Sequence, residues 1–328
     1  MRQARIKVAA EAGEAVYHCL SRSVNGEWLF DEPAREVLRR QLWLVAEYCG
    51  LEILTYAILS NHFHVLVRVP RKTSVPDQEL LRRYRLLYPK PTRYQAARLE
   101  VIEQQLLTDG PEAQRWRRRQ LALMGDLSPF MKLVKQRFSL WFNHTHRRFG
   151  TLWAERFKSV LLDPAGRVPV TVAAYIDLNS VRAGMVADPK DYRFCGYAEA
   201  VAGKAVAQRR LASIMGAPDW PTAQAVYRQL LFDTGAAARE HGATIPLEAL
   251  AKVLTEGGLL PLATVLRCRI RYFSDGAVLG GRAFVEAQLA AYRARTGRRE
   301  RTCARLVPSL ADWGELATLR GLRRRAFG

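Results

Sequence analysis

"ILSNHFHVLVRV", residues 58–69, decides how this chain is read. Two histidines, His62 and His64, stand two apart in an apolar, β-branched run. Strand side chains alternate between faces, so residues two apart point the same way. His62 and His64 are therefore expected on one face of a strand, with Phe63 packed into the other. Two adjacent imidazoles can share one divalent metal. The alternative is a pair of hydrogen-bonded core histidines. A second His-x-His, His144 and His146 in "NHTHRR", serves as a control. It falls at the end of a helical pattern, where residues two apart diverge by roughly 200°. That pair is expected to complement a helix C-terminus or touch phosphate.

Working outward, "LEILTYAIL" (51–59) is β-rich and separated from 62–69 by only Ser60 and Asn61, which predicts a tight antiparallel hairpin. Before it, "AVYHCLSR" (15–22) reads as a strand and "PAREVLRRQLWLVAEYCG" (33–50) as a helix stopped at Gly50. After it, residues 71–127 change character. "RRYRLLYPKPTRY" and "AQRWRRRQLALM" are basic, aromatic-bearing and helix-prone, and read as a helical insertion. "SPFMKLVKQRFSLWFNHTHRRFG" (128–150) is an amphipathic helix, with Ser128 as its cap, Pro129 in its first turn and Gly150 closing it. "RFKSVLL" (156–162) is a strand and "VPVTVAAYIDLNSVRAGMV" (168–186) a helix. The order β-α-β-β-α-β-α predicts an α+β fold, a small antiparallel sheet covered by helices on one face. Residues 205–328 are expected to form a separate helical domain, with a Gly-rich turn, "SDGAVLGGRAF" (274–284), and a basic ending, "RGLRRRAFG".

Lys plus Arg number 51 against 31 acids, a net charge of +20. Such one-sided charge points to a polyanion partner, because each neutralised phosphate releases counterions. No run of eighteen apolar residues marks a membrane span, and the basic N-terminus lacks a signal core. The expectation is a soluble cytoplasmic protein associated with nucleic acid. The five cysteines, Cys19, Cys49, Cys195, Cys268 and Cys303, are widely spaced without a CxxC, which suits reduced thiols rather than disulfides or a zinc knuckle.

Two imidazoles are an incomplete site. On helix 168–186, Tyr175 and Asn179 are at i and i+4 and share a face. An Asn oxygen is a hard ligand suited to Mg²⁺ or Mn²⁺. A tyrosine one turn away can attack a phosphorus held by that metal; a half-buried structural tyrosine is the alternative. Backbone-binding candidates are Arg82, Arg83, Arg85, Arg117, Arg118, Arg119, Arg147 and Arg148, with Tyr84 and Trp116 as base-stacking candidates. No phosphate-cradling loop is visible, so no nucleotide cofactor is expected.

These residues resemble a family. "NHFHVLV" resembles the HUH motif, histidine-hydrophobic-histidine, of single-strand DNA nucleases. "YIDLNSVRAGMVADPKDYRFCGYAEAVAG" resembles the tyrosine helix and tail of the REP-associated tyrosine transposases, members of the single-tyrosine transposase superfamily. "AVYHCLSRSVNGEWLF" and "RFSLWFNHTHRRFGTLWAERFKSVLL" resemble that family's first strand and loop and its central helix and strand. The resemblance spans about residues 12–204, the insertion apart. It implies a catalytic domain over 1–204 with the ferredoxin-like, RRM-like palm of HUH enzymes. It also implies that His62, His64 and Asn179 are metal ligands and Tyr175 the nucleophile. The implied reaction is metal-dependent nicking and joining of single-stranded DNA through a 5′-phosphotyrosine, on REP-like palindromic hairpins, by a monomer or homodimer. Where the family commonly has Asn-Pro, this chain has Asn179–Ser180, which would let the helix run on. "RYFSDGAVLGGRAFVEA" resembles a segment of longer members, without a role attached. The other readings are a domesticated DNA-binding regulator without catalysis and a metal-dependent nuclease that uses water.

Overall fold

The structure, a computed structural model, describes residues 5–8, 13–71, 74–89, 99–232, 262–266, 270–297, 303–307 and 314–319. Cys268 and the basic ending 320–328 lie outside the described residues. Strand β1 (Ala15–Arg22) leads through a short loop to helix α1 (Glu32–Cys49) and the hairpin β2 (Glu52–Ile58) and β3 (His62–Val69). Helix α1 starts where Asp31 accepts from the Ala34 amide at 2.8 Å, a cap worth about 0.5–2 kcal/mol. It stops at Gly50, whose φ of 68° is left-handed. The hairpin closes with the Leu59 amide donating to His62 O at 2.8 Å.

The expected helical insertion is present as α2 (Asp77–Leu87), α3 (Leu99–Thr108) and α4 (Pro111–Leu121). Then come α5 (Leu127–Thr145), β4 (Lys158–Leu162), α6 (Val168–Asp177) and α7 (Asn179–Arg182). The four strands pair antiparallel in the order β2-β3-β1-β4. That is the ferredoxin-like arrangement within an α+β fold.

Three expectations are corrected. Helices cover both faces of the sheet rather than one. Phe63 faces the α1/α5 layer, with its ring 5.7 Å from Trp153, which in turn packs 5.8 Å from Phe138 of α5. The alternate face is covered by α6. An apolar run such as β3, buried over five successive residues, needs cover on both sides. Helix α5 begins at Leu127 with Asp126 as the cap, its carboxylate accepting from the Ser128 amide at 2.6 Å. It ends at Thr145 with His146 as C-cap, four residues before Gly150. Thirdly, the helix drawn over 168–186 breaks into α6 and α7 at Leu178. There Asn179 and Ser180 side chains bond back to the carbonyls of Ile176 and Asp177, in competition with the helix ladder.

The C-terminal stretch is helical in part. It holds α8 (Gly196–Val201), α9 (Ala205–Met215), α10 (Trp220–Phe232), α11 (Leu262–Leu266), α12 (Arg271–Asp275) and α13 (Arg282–Thr296). It also supplies strands β5 (Val278–Gly280), β6 (Arg305–Leu306) and β7 (Ala317–Thr318), which extend the same sheet in the order β4-β5-β7-β6. β5 lies parallel to β4, Leu161 opposite Val278. The expected boundary at 204/205 therefore does not interrupt the sheet. The Gly-rich turn is explained here: a Cβ on Gly280 would collide with the Asp163 side chain. Asp163 in turn accepts from the Gly281 amide at 3.2 Å.

Candidate active site

His62 and His64 share a face as the strand period requires, with ring centroids 5.2 Å apart. His64 is 3% exposed. A third imidazole joins them, one that sequence reasoning passed over. The β1–β3 register sets Leu20 opposite His64 and His18 opposite Leu66, so His18 is the diagonal neighbour of His64. His18 Nε2 lies 2.8 Å from His64 Nδ1, and His18 Nδ1 lies 2.7 Å from the carbonyl oxygen of Phe273.

The partners fix where the protons are. A carbonyl only accepts, so His18 carries its proton on Nδ1 and its lone pair on Nε2. That lone pair accepts from His64 Nδ1–H, which leaves His64 with its lone pair on Nε2. His62 also carries a proton on Nδ1, fixed by a separate partner. Its Nδ1 is 2.6 Å from Asn61 Oδ1, and Asn61 Nδ2 donates to Gly26 O at 3.0 Å, which orients the amide. Burial holds His18 neutral, pushing it down to about 4. Burial, followed by the neighbouring His18 and His62, holds His64 well below the usual imidazole range.

Helix α6 brings the phenol to this group. Apolar nearly all round, α6 is buried at every position except Val170. Its far end is pinned by Asp177, fully buried, which accepts from Thr55 Oγ1 at 2.7 Å and Tyr227 OH at 2.6 Å. Burial raises that carboxyl to about 7. The Tyr175 ring stands edge-on to His64 at 6.4 Å and to His18 at 6.4 Å. Arg182 folds over it, Cζ 4.0 Å from the ring centroid, while its guanidinium donates to Tyr175 O at 2.7 Å and to Leu266 O at 2.6 Å. Phe273 of α12 packs on it at 5.2 Å and 90°. Tyr175 is thereby only 3% exposed.

Asn179 is buried, and its Nδ2 donates to Tyr175 O at 3.3 Å and Ile176 O at 3.0 Å, leaving Oδ1 as the end turned from the helix. Among the described residues, no cluster of three or more His, Cys, Asp or Glu side chains is arranged to hold a metal. The candidate donors are the imidazole nitrogens of His62 and His64 and the amide oxygen of Asn179, whose amide is tied to the Tyr175 carbonyl one turn back. His64 bears its lone pair on Nε2 beside the His62 ring, and imidazole nitrogen with amide oxygen is a donor chemistry that suits a divalent ion. Beside His62, whose register partner is Arg22, a cavity is lined by Arg22, Arg156 and Ser274 and by Lys158, which pairs with Glu155 and Asp275.

The other candidates divide. Arg82 pairs with Glu79 and Glu47, Arg83 with Glu79, Arg85 with Glu103, Arg117 with Asp77 and Asp109, and Arg148 with Glu27. Arg118, Arg119 and Arg147 are exposed. Tyr84 and Trp116 are half-buried and packed on each other at 5.7 Å around a satellite core of Ile102, Leu106 and Ala113. The control pair behaves as expected: His146 caps α5, its Nδ1 bonded to Phe142 O at 2.9 Å, and His144 is exposed. Cys19, Cys49 and Cys195 are buried free thiols, and Cys303 is exposed.

No family model matches this chain, and no curated protein does. A solved structure of a REP-associated tyrosine transposase bound to a REP hairpin is similar over 62% of this chain and 86% of its own, at 15% identity and a TM-score of 0.38. So distant a likeness carries no function, which has to rest on the residues themselves. No helix among the described residues is long and apolar enough to cross a membrane.

Proposed function

We propose that this protein is a single-strand DNA nickase and strand transferase of the HUH type, with Tyr175 as nucleophile and His62, His64 and Asn179 as the holders of Mg²⁺ or Mn²⁺. One observation carries the reading: His64, held neutral by burial, bears its lone pair on Nε2 with its ring 6.4 Å from that of Tyr175, and the His62 ring lies 5.2 Å away on the same face. A divalent ion held there supplies Lewis-acid polarisation of the scissile phosphodiester. Tyr175 Oη attacks the phosphorus; an O–P bond forms and the bond to the 3′ oxygen breaks. The phenol proton ends, in net terms, on the released 3′-OH. The bond energy is kept in the 5′-phosphotyrosine, so another 3′-OH can reverse the step and join strands without a nucleotide cofactor. Arg182 holds the tyrosine from the ring face and through its carbonyl. Arg22 and Arg156 offer exposed cations to the backbone beside His62, and Arg118, Arg119 and Arg147 offer exposed cations elsewhere. The DNA partner proposed is a hairpin with a single-stranded flank, of the REP-like palindromic kind.

The burial of Tyr175 favours a second reading, a DNA-binding regulator without cleavage, because a phosphodiester reaches the phenol only after the segment carrying Phe273 has shifted. Labelled hairpin DNA with Mn²⁺ separates the two. Wild type should give an SDS-resistant adduct and Tyr175→Phe none. Binding without adduct or cleavage would establish the regulator, and cleavage without adduct would move the nucleophile to water.

A further inference from the structure

Two of the largest side chains on this protein sit almost fully in solvent: Trp28 is 84% exposed and Phe149 is 94% exposed. Single exposed apolar residues are ordinary, but these two occupy loops that are tightly held and held to each other. In the loop after β1, Ser23 Oγ donates to Glu27 O at 2.7 Å and the Phe30 amide to Ser60 O at 2.8 Å, with the Phe30 ring buried 5.4 Å from Phe138. The backbone on either side of Trp28 is thus fixed while the indole points out. In the loop after α5, the Arg148 amide donates to Asn143 O at 2.9 Å and Asn143 Nδ2 to Gly150 O at 3.1 Å, bracketing Phe149 in the same way. Arg147 takes a φ of 50° there, a left-handed conformation that costs an ordinary residue energy. The loops are joined by the Val24 amide on Leu152 O at 2.9 Å and by Arg148 Nη1 on Glu27 at 3.1 Å. That ion pair links the residue before Trp28 to the residue before Phe149.

This surface begins at the candidate active site. Asn61, which orients His62, also donates to Gly26 O of the Trp28 loop. Exposed Arg22, Arg147 and Arg156 lie along it. Resting on the reading above, we infer that Trp28 and Phe149 form a stacking platform for unpaired bases of the DNA strand that enters beside His62. Every base has a π-face, cations track the phosphates, and loops already ordered lose little entropy on binding. The stacking aromatics are thus on these loops, while Tyr84 and Trp116 serve the core of the insertion.

The test uses the full chain carrying Tyr175→Phe in EDTA, so that binding is read without metal or cleavage. Anisotropy compares a blunt hairpin with the same hairpin bearing a randomised single-stranded flank. Trp28→Ala and Phe149→Ala should each weaken binding of the flanked hairpin about tenfold, the loss of one base–aromatic stack, and leave the blunt hairpin unchanged. Trp28→Phe, which keeps a ring, should stay within about threefold of the parent. Equal loss on both hairpins, no loss on either, or Trp28→Phe behaving like Trp28→Ala would overturn the platform. So would alanine variants that abolish self-association in sedimentation but bind DNA as before, which would assign the surface to a second copy. A missing adduct in the nicking assay bears on Tyr175 alone and leaves this outcome standing.

Discussion

His62 and His64 lie side by side on β3 with ring centroids 5.2 Å apart. His144 and His146 have the same spacing, yet one is exposed in the last turn of α5 and the other leaves the helix to stack on Phe142 at 4.0 Å. The difference lies in the backbone period, two for a strand and 3.6 for a helix. It also lies in what surrounds each pair. The strand pair is packed beneath α6 and wired to Asn61 and His18. The helix pair meets solvent and its own carbonyls.

That contrast can be broken most directly by Mn²⁺ binding. His62→Ala combined with His64→Ala should reduce affinity by more than about 100-fold by calorimetry or EPR, beyond what loss of a supporting residue costs. His144→Ala with His146→Ala should leave it unchanged; equal losses would dissolve the distinction. Phe63→Ala tests the opposite face. It empties a fully buried site in the α5 layer, and chemical denaturation should show a loss of about 3–5 kcal/mol. A loss under about 1 kcal/mol would mean that the alternation of faces is not what packs this strand.

His18 sharpens the comparison, since nothing comparable stands behind His144. Replacing it with Leu removes the acceptor that fixes the His64 tautomer, and Mn²⁺ affinity should fall about 10–100-fold. His18→Gln retains a carbonyl oxygen for His64 Nδ1–H and an amide for Phe273 O, and should recover most of that loss. Nitrogen-15 spectra of the metal-free protein should show His64 protonated on Nδ1 in the parent and in the Gln variant. The smallest effects belong to the insertion. Arg118→Ala and Arg119→Ala should each lower the salt dependence of DNA binding by about one unit of slope. Arg82→Ala, which breaks an exposed ion pair worth about 0–1 kcal/mol, should leave the slope unchanged.

How much of this was readable beforehand depended on the range over which the information lies. The hairpin, the strand pair of histidines and the i,i+4 placement of Tyr175 and Asn179 follow from local spacing. So does Glu79 beside Arg82 and Arg83, a pairing visible at three and four residues that a count of cations overlooks. His18 was not readable, because one histidine in "AVYHCLSR" acquires meaning only from the β1–β3 register. Phe273 is 255 residues from the imidazole that its carbonyl orients, and no local pattern reaches so far. Strands β5 to β7, two or three residues each, are too short to leave a periodicity.

The Phe273–His18 bond also sets an order of events when the chain is made. Translation delivers the histidine-bearing strands β1 and β3 and the helix of Tyr175 well before the residues around position 273. Until that stretch arrives, the phenol lacks its cover and the first imidazole lacks the carbonyl that orders the protons behind it. On a nascent chain that ends before that stretch, the Tyr175 ring lacks the Phe273 packing and His18 lacks its acceptor, so the pocket around the phenol is completed only near the end of synthesis.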